Sequence, residues 1–328
     1  MNKKEENPVV QPETQNVSAP VEGTEPTQER VRDGAQITPS IEVSGRAGKK
    51  RMMIDIIALI VCALIAAGVL YLHFFLKPAS YELLSAKEVA TEETMLIAHR
   101  GYRAVAPENT APAFEKAGEA GFDGAECDIY RTKDGVWIIQ HDFNALWMTG
   151  SLRKIESSTY ESLRKKTVNN GVNIEDYPDL QICTLEEYLS ICKKYEMVPV
   201  IELKSKNNTE YYKEVVDLVE KSGVDKVIYI SFYENCLQAM RKLTDADLYY
   251  LCGEVTEEAI SVAKGIENCG LDFNGNTEEN FENDAAAIKK AQEAGLSLGA
   301  WTIDDLDTMQ KLLDLGIQMI TTDNITYS

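Results

Sequence analysis

At 328 residues with 44% apolar content, the chain is long enough for one large domain or two small ones and can bury a sizeable core. Its formal net charge is −20. The excess lies after residue 76: residues 77–328 carry 25 basic and 44 acidic groups, whereas residues 1–51 are neutral. A domain this acidic, with no basic stripe, repels nucleic acid, and an anionic ligand would need a few placed Arg and Lys or a metal ion.

Residues 1–50 are rich in Pro, Glu, Gln, Thr, Ser and Val and nearly lack aromatics. Nothing in them recurs at helical or strand spacing, which predicts a disordered tail over residues 1–51. Then comes "IIALIVCALIAAGVLYLHFF", Ile56 to Phe75, without a formal charge and long enough to cross a hydrocarbon core. More than fifty residues precede it, so the pattern predicts an uncleaved transmembrane helix over 52–76 rather than a signal peptide. Arg46, Lys49, Lys50 and Arg51 crowd its N-terminal side. The positive-inside rule then puts the tail in the cytoplasm and residues 77–328 outside the cell membrane. His73 and Cys62 lie in the span, and His73 reads as an interfacial residue without chemistry. Cys127, Cys183, Cys192, Cys236, Cys252 and Cys269 show no CxxC and no metal-finger spacing, and read as buried thiols.

From Tyr81 onward short β-type runs alternate with helical stretches. The runs are 95–99, 124–130, 136–141, 197–204, 226–232, 247–252, 296–303 and 318–323, with a short "LDFNG" at 271–275 that leaves the strand count open. Helices are expected at 109–121, 184–196, 209–223, 284–295 and 305–316. Repeated strand–helix units over about 250 residues predict an α/β fold, a (β/α)8 TIM-type barrel, with function at the C-terminal ends of the strands. One interval departs from this. Between "ECDIY" and "VWIIQH" lies only "RTKDG", too short for a crossover helix. Asp134-Gly135 reads as a two-residue hairpin loop with φ > 0 at both positions, which sets Lys133 against Val136 and Asp128 against His141. Glu126 shares the face of Asp128, and Cys127 points into packing.

Polar groups gather at these strand ends: His99 and Arg100, Glu126 and Asp128, His141 and Asp142, Glu202 and Lys204, then Trp301 and Asp323. Two carboxylates on one strand face inside a barrel are expensive unless paired or metal-bound. Converging carboxylates suit a hard divalent cation, Ca²⁺ or Mg²⁺. Two histidines beside it suit general acid–base work.

In order along the chain, "AHRG", "PENT", "ECD", "TKDG", "HD", "IELK" and "AWTID" resemble the glycerophosphodiester phosphodiesterase family over residues 95–323. The family's T-D-x-P is "TTDNI" here, with Ile325 in place of proline. The resemblance implies a barrel with a small insertion after the third strand, matching residues 143–181. Carried over by position, it implies that Glu126, Asp128 and Glu202 hold the divalent metal and that His99 and His141 are general acid and base. Arg100 and Lys204 would meet the phosphate, and Phe232 and Trp301 would face the glycerol. Glu108 and Asn109 belong to the family signature, with Glu108 expected to orient Arg100 as a bidentate ion pair rather than to join the metal shell. The implied activity is metal-dependent hydrolysis of a small-molecule or lipid-derived glycerophosphodiester to glycerol 3-phosphate and an alcohol. Lyase or phospholipase-D-like action on lysophospholipids stays open, as does an inactive membrane-tethered binder.

Overall fold

The structure is a computed structural model that describes residues 45–75, 80–275 and 281–328. The tail expected over 1–51 therefore lies, up to residue 44, outside the described residues, as does the side chain of His73. Helix α1 spans Gly45–Phe75, and its stretch Lys50–Leu70 has a mean hydropathy of 2.8. By length and composition it could cross a membrane.

The strands and helices after it begin with β1 (Leu84–Ser85), β2 (Met95–Ala98), α2 (Ala111–Glu119), β3 (Gly124–Arg131) and β4 (Trp137–Ile139). Short α3 (Leu146–Thr149) and α4 (Tyr160–Arg164) follow, then α5 (Leu185–Lys194), β5 (Val198–Leu203), α6 (Tyr212–Ser222) and β6 (Ile228–Ser231). Next come α7 (Glu234–Arg241), β7 (Asp247–Cys252), α8 (Glu257–Lys264), β8 (Cys269–Asn274) and α9 (Phe281–Glu293). The chain ends with β9 (Leu298–Trp301), α10 (Leu306–Asp314), β10 (Met319–Thr322) and β11 (Ile325–Thr326). Among the described residues, eight parallel strands close in the order β2-β10-β9-β8-β7-β6-β5-β3, with β3 returning to β2. This is a TIM-type (β/α)8 barrel. The "LDFNG" run is part of β8 and completes the ring, whereas "VWIIQH" supplies β4, an antiparallel partner of β3 outside it.

The period of two along each strand sorts side chains into two layers. Outward residues such as Cys127, Ile201, Leu271 and Ile320 meet Phe114, Tyr188, Val215, Leu237 and Leu312 of the surrounding helices. Inward residues Ile97, Val200, Ile228, Ile230, Leu251 and Met319 fill the lumen. The six barrel cysteines are buried and free. Residues between β4 and α5 build their own small cluster, with Ile155, Leu163, Val168 and Ile182 packed on Tyr130 and Ile138. Past β10, the Ile325 N–H donates to Thr322 Oγ1 at 3.1 Å, a bond proline could not make, and β11 pairs in parallel with β1.

The hairpin differs from the expected register. Ile129 faces Ile139, Tyr130 faces Ile138 and Arg131 faces Trp137, one residue away from the pairing predicted by a two-residue loop. The cause lies in two side chains. Thr132 Oγ1 donates to Asp134 Oδ1 at 2.7 Å and accepts from the Val136 N–H at 2.9 Å; Asp134 Oδ1 also accepts from the Tyr160 N–H at 2.9 Å. These bonds close a turn from Thr132 O to Gly135 N–H, with Gly135 alone at positive φ, +90°, and Asp134 not. The loop is thus three residues long, of the type ending in a left-handed glycine. Asp128 consequently faces Gln140, whose N–H donates to its carbonyl at 2.9 Å.

Tyr188 on α5 ties the two strands that carry the carboxylates. Its hydroxyl donates to the Ala125 carbonyl at 2.6 Å and accepts from the Val200 N–H at 3.0 Å. Tyr188→Phe removes both hydroxyl bonds, at about 1–3 kcal/mol together. Thermal unfolding should show a Tm lowered by several degrees; an unchanged Tm would show that this bridge carries no weight.

Candidate active site

Inward positions near the C-terminal ends of the strands carry the polar groups. They line a cavity of about 320 Å³ that includes His99, Arg100, Glu126, His141, Glu202, Lys204, Phe232, Asp272 and Trp301. Parallel register sets Asp128 of β3 beside Glu202 of β5, and Glu126 lies two residues before Asp128. One oxygen from each of Glu126, Asp128 and Glu202 lies within 4.8 Å of the others, and all three residues are buried.

The H-R-G turn follows from close packing. Arg100 and Gly101 take left-handed φ of 56° and 76°. A side chain at Gly101 would come within 2.7 Å of the Ala113 carbonyl carbon, so only glycine lets α2 approach this closely. The left-handed Arg100 points its N–H at Glu126 Oε2, 2.9 Å away. Asn109, also left-handed at φ 56°, donates from Nδ2 to Asp128 Oδ2 at 2.8 Å and accepts from the Asp128 N–H at 3.4 Å. Glu108 is not a bidentate partner of Arg100. It gives Oε1 to Arg100 at 2.9 Å and Oε2 to Arg103 at 2.5 Å, because two guanidinium groups compete for one buried carboxylate. Glu108 stands apart from the three-carboxylate cluster.

Asp128 is held by three groups: Lys204 Nζ at 3.2 Å, Arg100 Nε at 3.5 Å and Asn109. Burial alone would raise its pKa, but Lys204, Arg100 and His141 hold it well below the usual carboxylate range. The other two carboxylates go the opposite way. Burial, then the charges of Asp128 and Glu202, push Glu126 well above its ordinary value. Burial and Asp128 push Glu202 up to about 8, although Lys204 lies 3.0 Å away. Three buried carboxylates that resist ionising together are a donor set suited to a hard cation, which would remove the conflict.

The histidines sit differently from one another. His99 Nδ1 lies 2.7 Å from Asp323 Oδ1, and Arg103 approaches the other Asp323 oxygen at 3.6 Å. Burial and the Arg100 charge lower the His99 pKa against the pull of Asp323. Despite burial, its bond to His99 keeps Asp323 low, so Asp323 is an acceptor and His99 Nδ1 carries the hydrogen. The lone pair is then on Nε2. His141 lies two residues beyond β4, is more open, and has Nδ1 3.0 Å from Asp142 Oδ1. The register shift leaves it on the cavity wall because the strand has already ended at Ile139.

Phe232 and Trp301 meet edge to face with ring centres 5.6 Å apart. The Trp301 Nε1–H donates to the Asp272 carbonyl at 3.1 Å. Arg103, Asp323 and Asp272 were not among the site residues expected from sequence. Only Asp323 had a local signal, its place at the end of the last strand.

Comparison with known proteins gives a consistent result. The family model for the glycerophosphoryl diester phosphodiesterase family matches residues 99–327. A glycerophosphodiester phosphodiesterase of Caldanaerobacter subterraneus is 29% identical over 241 residues, covering 71% of this chain and 95% of that protein. A crystal structure of a glycerophosphodiester phosphodiesterase from Parabacteroides distasonis is 27% identical, with a TM-score of 0.59 over 71% of this chain and 94% of that one. A phosphodiesterase of Oleispira antarctica, solved with the product sn-glycerol 3-phosphate, shares the fold at 22% identity and a TM-score of 0.65, over 73% of this chain and 96% of that one. With the family model spanning nearly the whole barrel, the chain belongs to the glycerophosphoryl diester phosphodiesterase family of enzymes.

Proposed function

We propose that the chain hydrolyses glycerophosphodiesters to glycerol 3-phosphate and an alcohol, using a divalent cation, Ca²⁺ or Mg²⁺, held by Glu126, Asp128 and Glu202. The observation that carries this reading is the cluster itself: three buried carboxylates converge within 4.8 Å beside two histidines, an arginine and a lysine in one cavity. When bound, the cation would neutralise a non-bridging phosphate oxygen and stabilise charge as it develops. Arg100 and Lys204 are the cations next to that position. Arg100 Nε is ion-paired with Asp128 at 3.5 Å but, among the described residues, makes no hydrogen bond, so its donor can serve a phosphate oxygen. Phe232 and Trp301 would offer the glycerol carbon chain an apolar wall. Asn109 and Glu108 act through others, the first on Asp128, the second on Arg100.

His99 is the better base. Its lowered pKa keeps it neutral near pH 7, and its Nε2 lone pair is free to take the proton of the nucleophile. His141 would then donate to the leaving alkoxide. The helix α1 would anchor the enzyme in the cell membrane. The basic residues at 46–51 would stay in the cytoplasm and the barrel would lie outside, where Ca²⁺ is plentiful.

The test is turnover of glycerophosphocholine and related diesters with and without chelator. Chelation should abolish activity, and Ca²⁺ or Mg²⁺ should restore it; full activity in chelator would refute metal dependence. Glu126→Gln should weaken metal binding in calorimetry. His141→Ala should keep metal affinity near wild type while turnover drops roughly 10²–10⁴-fold. Loss of metal binding in His141→Ala would show the roles to be misassigned.

The His99–Asp323 pair predicts a pH effect with a definite sign. A base must be unprotonated, so the acid limb of kcat/KM should fall below pH 6.5, the ordinary histidine value from which His99 is lowered. Asp323 opposes that lowering, so Asp323→Asn should move the limb further to acid pH. The plateau should fall by about 10²–10⁴-fold as the tautomer is freed. A limb that moves to alkaline pH would assign the titration to another group.

The topology is open to a separate check. Protease added to intact cells should remove the barrel. Protection until the cells are lysed would reverse the orientation.

A further inference from the structure

We propose that Asp272 recognises a hydroxyl of the polyol half of the diester, an inference that rests on the phosphodiester reading above. Asp272 is an inward residue of β8 and lines the same cavity as His99, Glu202, Lys204 and Trp301. It is 1% exposed, and its Oδ1 is buried with no hydrogen-bond partner among the described residues. That sets it apart from the other carboxylates of the cavity. Glu126 accepts from the Arg100 N–H, and Asp128 and Glu202 each have Lys204.

The strand neighbours of Asp272 carry no polar side chain. Its neighbours across the flanking strands are Leu251 and Gly299, and Ile230 shares the wall. No cation offsets the burial, which pushes its pKa up to about 8. Near pH 7 the group is therefore an uncharged carboxylic acid, able both to donate and to accept. Gly299 makes the room: a Cβ there would lie 3.0 Å from Asp272 Oδ1. The backbone carbonyl of Asp272 also fixes the Trp301 ring through Nε1–H. An aromatic face for C–H groups beside a neutral carboxyl for O–H groups is a chemistry that fits a polyol. The carboxyl offers nothing to a simple alkyl chain, so the hydroxyls are what it would discriminate.

A purely structural role does not account for this residue. A buried carboxyl without a partner stabilises nothing and is a cost to the fold. Such costs are retained where a ligand completes the bonding.

The experiment measures binding of two probes, glycerol 3-phosphate and propyl phosphate, to the full-length protein loaded with divalent cation. The two differ only in hydroxyl groups. The wild type should prefer glycerol 3-phosphate. Asp272→Leu should weaken glycerol 3-phosphate roughly 10–100-fold while leaving propyl phosphate within about twofold, so that the preference disappears. Its Tm should be equal to or above that of the wild type. Asp272→Asn, which keeps an uncharged donor and acceptor, should retain the preference. The inference is overturned if Asp272→Leu keeps the preference, or weakens both probes equally, or if the wild type binds both equally. A wild type that binds neither probe overturns the phosphodiester reading and this inference with it.

Discussion

The site depends on keeping Asp128 ionised in a place where water cannot reach it. The residue is 1% exposed, and an isolated buried carboxylate costs several kcal/mol. Lys204, Arg100 and Asn109 together offset that cost, and they come from two loops. Lys204 follows β5, whereas Arg100 and Asn109 stand at the two ends of the loop between β2 and α2. Two loops of the barrel are thus set in place by one carboxylate. The same negative charge then acts on its neighbours. Glu202 stands opposite in the parallel register and Glu126 two residues earlier, and both resist ionising, first because they are buried and then because Asp128 is already charged.

The backbone around His99 follows from this arrangement. Arg100, Gly101 and Asn109 all have positive φ, and two of them are not glycine. Left-handed residues of that kind persist where surrounding contacts over-determine them. Here the contacts are visible: Arg100 N–H to Glu126, Asn109 N–H to the Arg100 carbonyl at 2.8 Å, and Gly101 against α2. The loop is knotted to the carboxylates by its main chain, so the guanidinium of Arg100 and the ring of His99 are presented from a fixed base.

Much of this was legible in the chain. Alternating strands and helices gave the barrel, and the E-x-D and E-x-K spacings put their members on one face, since a strand has period two. What failed was decided by side chains far apart in sequence. The hairpin register turned on Thr132 and Asp134 bonding to each other and to Tyr160, which no local propensity for Asp-Gly contains. Glu108 was expected to serve one arginine and serves two, because Arg103 folds back onto it. Helices α7 and α8 escaped notice at eight residues each, with Cys, Gln and Ser weakening their periodicity. Strand β8 was a short ambiguous run because its inward positions are Gly270, Asp272 and Asn274, not apolar residues. A strand whose lumen face is polar does not look like a strand of a core.

Charge bookkeeping within the cavity connects the first observation on the sequence to the proposed chemistry. A domain so acidic can receive an anion only where positive charge is concentrated. Yet around the strand ends Glu108, Glu126, Asp128, Glu202 and Asp323 share Arg100, Arg103 and Lys204, and Asp142 and Asp304 lie beside them. With all of them ionised the protein's own groups leave the site net negative, and a phosphodiester would be repelled. Burial first, and then that surplus, raises the pKa values of Glu126 and Glu202. A divalent cation would offset part of that surplus in the place where three oxygens already converge. The acidity of the domain therefore argues for a metal at this site, and Arg100 and Lys204, already committed to Asp128, become available to a phosphate once the carboxylates have another partner.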